Sequence, residues 1–129
     1  MESSEQRDFV KWFRETYPGH RKSLRVSMAG MKRQGRVSGA RMWNMMKSQG
    51  LEKGEADIVI ALPRGQYGAL VIEHKGAGQS HKVTEDQEAY LEYHASIGNL
   101  AASTRGEEEL QQVVQDYMGL NHGSQDTNL

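Results

Sequence analysis

The feature that most constrains this sequence is a pair of short apolar runs, Asp57-Ile-Val-Ile-Ala-Leu62 and Gly68-Ala-Leu-Val-Ile-Glu-His-Lys75. Between them lies only Pro63-Arg-Gly-Gln-Tyr67. Two apolar segments joined by a brief Pro/Gly loop read as a β-hairpin. Their near-continuous apolarity implies a sheet covered on both faces. With the pivot near Gly65, Asp57 falls opposite Glu73.

That opposition carries chemical information. Directly opposed side chains on antiparallel strands hold their Cβ atoms about 4.5–5.5 Å apart, and two like charges there are destabilising unless something offsets them. A hard divalent cation does so, because it takes carboxylate oxygens. Lys75 is two residues beyond Glu73 and therefore shares its face, whereas His74 points to the other. The His74 side chain is thus an unsuitable ligand, but its backbone carbonyl remains available. A metal held by Asp57 and Glu73 polarises a phosphodiester and lowers the pKa of a bound water. Lys75 then orients that water or offsets charge in the transition state. The plainer alternative is a surface cluster of ordinary Asp–Lys or Glu–Lys pairs.

Flanking periodicities supply the rest of the frame. Phe9, Val10, Trp12, Phe13 and Tyr17 recur near helical spacing, predicting a helix over 5–17 that ends at Pro18-Gly19. Residues 19–37 are rich in Gly and basic side chains and read as loop or short irregular strand. Ser38 is placed to cap a helix over 39–49, whose Met42, Trp43, Met45 and Met46 read as core. Thr84-Glu-Asp-Gln87 has the form of a capping box, opening a helix that runs to about Ile97. A strand at 100–103 and an amphipathic helix at 107–118 follow. The resulting order is α-α-β-β-α-β-α, a mixed α/β layer fold in one domain over 1–118, with a polar, disordered tail over 119–129.

Composition narrows the function classes. The hydrophobic fraction of 36% and charged fraction of 26% suit a globular domain and exclude collagen-like or wholly disordered chains. The absence of Cys removes disulfides, Cys-based zinc sites and a thiol nucleophile. No phosphate-loop, nucleophile-elbow or His-Glu-x-x-His motif occurs, and the five histidines show no ligand spacing. No run approaches the roughly 18 apolar residues of a membrane span, and the start lacks a signal pattern, so an intracellular protein is expected. The net charge of −1 conceals an asymmetry: from Thr16 to Leu51 there is no Asp or Glu, so all 17 acidic residues lie outside that stretch. Within it stand Arg21, Lys22, Arg25, Lys32, Arg33, Arg36, Arg41 and Lys47. Segregated basic charge attracts polyanions, nucleic acid above all, or else pairs with the acidic remainder after folding.

The run from Gly54 through Asp57, Pro63-Arg-Gly65, Glu73 and Lys75, followed by Gln87 and Tyr90, resembles the VRR-NUC domain of the PD-(D/E)XK nuclease superfamily. The likeness spans roughly 5–118. It implies a restriction-endonuclease-like core, a central mixed β-sheet flanked by helices, and Mg²⁺- or Mn²⁺-dependent cleavage of DNA. By position it makes Asp57 and Glu73 metal ligands with the His74 carbonyl beside them, and Lys75 the catalytic lysine. It also makes Gln87 a supporting residue, whereas the capping box alone accounts for Gln87 equally well. Family members often add an acid from the first helix, for which Glu5 is the candidate and Glu2 the second choice. Two positions depart from the pattern: Ala56 stands where the family has Pro, and His74 where it has an apolar or small residue. Compact stand-alone members resemble Holliday-junction resolvases and are expected as homodimers, which suits paired cuts in a four-way junction or flap. Lys32, Arg33, Arg36, Arg41 and Lys82 are the candidate contacts to the DNA backbone. By analogy the source is phage or bacterial. The alternatives are a DNA-binding module that keeps the nuclease fold without cutting, and an unrelated α/β interaction domain.

Overall fold

The computed structural model describes residues 3–27, 41, 44, 47–48, 50, 54–78 and 82–121. Helix α1 (Ser3–Thr16) turns Phe9 and Phe13 inward, both fully buried. Pro18 starts a 3-10 segment, Pro18–Ser23, which leads into strand β1 (Leu24–Val26). Strands β2 (Ile58–Ile60) and β3 (Leu70–Lys75) form the hairpin; helix α2 (Glu85–Ser96), strand β4 (Leu100–Arg105) and helix α3 (Gly106–Met118) complete the fold.

The four strands lie in the order β1-β2-β3-β4, with β1, β2 and β3 antiparallel and β4 parallel to β3. Helix α2 is the crossover that a parallel β3–β4 pair requires. Alternation along the strands divides the molecule. Ile58, Ile60, Leu70 and Ile72 face α1 and α3 and join Phe9, Phe13, Leu110, Val114 and Tyr117 in the core. The other face carries Val59, Val71, Glu73 and Lys75 beneath α2. Both faces are covered, as the apolar runs require, but unequally: no side chain of α2 is fully buried, and Tyr93 and Ile97 stand 60% and 55% exposed.

The hairpin register is the expected one, Ile58 opposite Ile72 and Ile60 opposite Leu70. Its turn closes between Arg64 and Tyr67, with N–H···O bonds of 3.1 and 2.9 Å exchanged between them. The strands are shorter than the apolar runs. Leu62 donates its N–H back to the Ile60 carbonyl, which turns the chain before Pro63.

The basic region expected as loop or short irregular strand contributes β1, a full partner of β2, so one strand precedes those in the expected order. Strand β4 extends two residues past the expected 103, because Thr104 and Arg105 pair with His74 and Lys75. Arg41, Asn44, Lys47 and Ser48 are helical, in keeping with a helix over 39–49, while Met42, Trp43, Met45 and Met46 lie outside the described residues. At the start of the expected tail, Asn121 accepts a hydrogen bond from Gly65 N–H at 2.5 Å, so this part lies against the hairpin turn.

Candidate active site

The site is built where β2 enters the sheet and β3 leaves it. Gly54 sets the approach. Its φ of 78° suits glycine, and a Cβ there would lie 2.3 Å from the Asp86 backbone oxygen in the first turn of α2. The chain can therefore run close under α2 before reaching Asp57. Continuing the hairpin register by one step sets Asp57 opposite Glu73. The Asp57 Oδ2 accepts a hydrogen bond from the His74 backbone N–H at 2.8 Å, which fixes its carboxylate against β3. Upstream, Ser27 donates to Glu55 Oε2 at 2.8 Å and ties this segment to the end of β1.

Glu73 is 2% exposed. Its Oε2 accepts from Gln87 Nε2 at 2.9 Å and lies 3.5 Å from Lys75 Nζ. Its Oε1 is buried without any hydrogen-bond partner among the described residues. Burial, and secondly the Asp57 carboxylate beside it, push the Glu73 carboxyl up to about 8, with Lys75 opposing the rise. Two facing carboxylates are acceptors only, so a proton or a cation must lie between them.

Gln87 does two things with one amide. Thr84 Oγ1 accepts from the Gln87 backbone N–H at 3.2 Å, and Gln87 Oε1 accepts from the Thr84 N–H at 2.9 Å, completing the capping box. The same Oε1 lies 3.5 Å from Lys75 Nζ, while Nε2 reaches Glu73. The amide that completes the cap is thus the one that reaches Glu73 and Lys75.

The other site residues fall elsewhere. Glu5 is not brought to the Asp57–Glu73 pair. It bonds His74 Nε2 on the opposite face of β3, while His74 Nδ1 meets Thr104 Oγ1 at 2.7 Å. The His74 side chain is fully buried there, as alternation required, and the Glu5 carboxylate saturates it. Arg41 and Lys82 are exposed, and Glu2, Lys32, Arg33 and Arg36 lie outside the described residues. The Thr104–His74–Glu5 chain was missed at the sequence level, because it depends on the β3–β4 register, a long-range pairing without a local signal.

The donor set fits a hard divalent ion. It offers two opposed carboxylates, one with an orphaned oxygen, and a cation one step along the strand. Among the described residues no third His, Cys, Asp or Glu joins them, so such an ion would keep several waters, as Mg²⁺ does.

The fold has a known counterpart. The chain superposes on a solved structure described as a VRR_NUC domain protein, with a TM-score of 0.74 and 24% identity, over 93% of this chain and 89% of that one. The architecture is thus that of the VRR-NUC domain, a mixed sheet flanked by helices. No protein-family model matches the sequence, and no curated protein is significantly similar to it. Among the described residues no helix is long and apolar enough to cross a membrane.

Proposed function

We propose that this chain is a divalent-metal-dependent DNA endonuclease that hydrolyses phosphodiester bonds. Branched DNA, a four-way junction or a flap, is its proposed substrate, and an intracellular homodimer its working form. One observation carries the reading: the buried Glu73 carboxylate lies against the Asp57 carboxylate, and among the described residues its Oε1 meets no hydrogen-bond donor. A buried carboxylate with a purely structural role meets donors, whereas this one lies against a second carboxylate, where a cation fits. The VRR-NUC fold supports the same class.

Asp57 and Glu73 would hold Mg²⁺ or Mn²⁺, with the His74 carbonyl beside them. Such an ion, when bound, supplies Lewis acidity toward the phosphodiester and the attacking water. The chain's own groups perform the rest. The His74 N–H and the Gln87 amide lock the two carboxylates in place before substrate arrives. Lys75, steered by Gln87 Oε1 and Glu73 Oε2, keeps an ammonium where negative charge grows on the phosphate. Lys32, Arg33, Arg36, Arg41 and Lys82 are assigned to the DNA backbone, where contacts position the substrate without reading sequence.

The test is cleavage of labelled four-way junction, flap and plain duplex DNA side by side, with Mg²⁺ or Mn²⁺ and with chelator. Metal-dependent cutting that favours a branched substrate is expected. Salt-dependent binding without cutting would assign the chain to the non-cleaving alternative. Neither binding nor cutting would end the nucleic-acid reading.

A further inference from the structure

The β3–β4 register places a second charged rung beside the first. Ser103 pairs with Glu73, and Arg105 pairs with Lys75. Paired residues share a face, so Asp57, Glu73 and Ser103 form one row across the sheet. Lys75 and Arg105 form the next, about 6.6 Å further along the strands. Ser103 and Arg105 are both exposed, whereas Thr104 between them is 2% exposed beneath the opposite layer. The floor beside the carboxylates is therefore open on the β4 side, and its last residue is an arginine.

The two cations of that rung are not equivalent. Lys75 Nζ is committed to Glu73 and Gln87. The Arg105 guanidinium uses Nη2 to donate to the Ala77 carbonyl at 2.9 Å, and among the described residues it pairs with no carboxylate. Glu109 is the nearby acid, but its Oε1 accepts from the Arg105 backbone N–H at 3.1 Å and caps α3. It is occupied on the backbone side. Arg105 thus retains donors in a planar fork that matches two phosphate oxygens. The bond to Ala77 holds the segment after Lys75 and orients the fork at the edge of the site.

We propose that Arg105 grips a backbone phosphate of the nucleic acid next to the one being cut, and so sets the register of the strand over Asp57, Glu73 and Lys75. This rests on the nuclease reading. The need for such a grip is electrostatic: two carboxylates and one committed ammonium form a poor receptor for a polyanion. The exposed first turns of α2 and α3, with Glu85, Asp86, Glu88, Glu108 and Glu109, add no attraction. Arg105 is the cation on the site's own floor that is free of a carboxylate among the described residues.

The experiment compares the full-length parent with Arg105→Gln, Arg105→Lys and Glu109→Gln. Cleavage is measured on four-way junction DNA with Mn²⁺, and affinity for the same DNA in an Asp57→Asn background. Arg105→Gln is expected to raise KM about tenfold with a smaller change in kcat, and to lower the slope of log affinity against log salt by about 0.9. Arg105→Lys restores the salt slope but only part of KM, since it keeps the charge and loses the fork. Glu109→Gln leaves both unchanged, which separates the grip from loss of the cap. If the parent cuts while Arg105→Gln keeps its KM and salt slope, the role of Arg105 is overturned and the nuclease reading stands. If the parent binds without cutting, the salt slope alone decides. If the parent neither cuts nor binds, both fall.

Discussion

Strand β3 has two sides with opposite fates. On the back, His74 is buried to 0% exposure and both ring nitrogens have partners, Thr104 and Glu5. On the front, Glu73 is buried to 2% and, among the described residues, one of its oxygens meets no hydrogen-bond donor. The back lies under α1 and α3 in a packed aromatic and aliphatic core. The front lies under α2, which buries no side chain completely, and opens at Ser103 and Arg105. Adjacent residues of one strand thus separate two uses of a buried polar group. A satisfied one stabilises the fold, and an unsatisfied one marks a place for something the chain itself does not supply.

The largest effect belongs to the front. Lys75→Ala is expected to lower metal-dependent cleavage about 10³-fold in a single-turnover assay while the protein stays folded. Cleavage at the parent rate would remove the site from this face. The back answers in stability instead. His74→Ala leaves the Thr104 hydroxyl and Glu5 carboxylate without their partner and opens a cavity. Urea denaturation should show a loss of about 3 kcal/mol, with cleavage per folded molecule within a few-fold of the parent. If His74→Ala abolished cutting without a stability cost, the distinction between the two sides would fail.

A second effect on stability comes from the raised Glu73 carboxyl. An unfolded chain ionises this group above about 4.5, whereas the metal-free fold ionises it only near 8. Between those values the folded form holds one extra proton, so raising the pH destabilises it, by at most about 1.4 kcal/mol per pH unit. Denaturation in chelator from pH 5 to 8 should show that decline, and Glu73→Gln should remove this component of it. The smallest effect is expected at the cap, where Thr84→Ala should cost about 1 kcal/mol in thermal unfolding. Because the same cap aims Gln87 at Glu73 and Lys75, it should also slow cleavage measurably.

What sequence made legible was local or strictly periodic. The hairpin register, the face shared by Glu73 and Lys75, the opposite orientation of His74 and the capping box at Thr84 each follow from alternation or from a four-residue pattern. Strand β1 escaped a firm assignment because three residues, Leu24–Val26, give too short a run for period two to emerge from a basic, glycine-rich context. Arg105 and the attachment of Glu5 to His74 escaped because both follow from the parallel β3–β4 register, reached through a helical crossover. Placing Glu5 near the proposed metal site assumed that an acid on the first helix turns toward the Asp57 and Glu73 carboxylates. His74, where the family pattern has an apolar or small residue, gave that acid a partner on the other face.

The most direct test of the front rung is a thermal-unfolding titration with Mn²⁺ in the absence of DNA, for the parent and for Asp57→Asn. A ligand that binds only the folded state raises the melting temperature once its concentration passes the dissociation constant. Because the ion displaces the proton held by Glu73, the parent should also bind more tightly as the pH rises toward 8. A rise in Tm for the parent that Asp57→Asn lacks is the expected result; no shift in the parent, or an equal shift in both, would contradict a shared cation between Asp57 and Glu73.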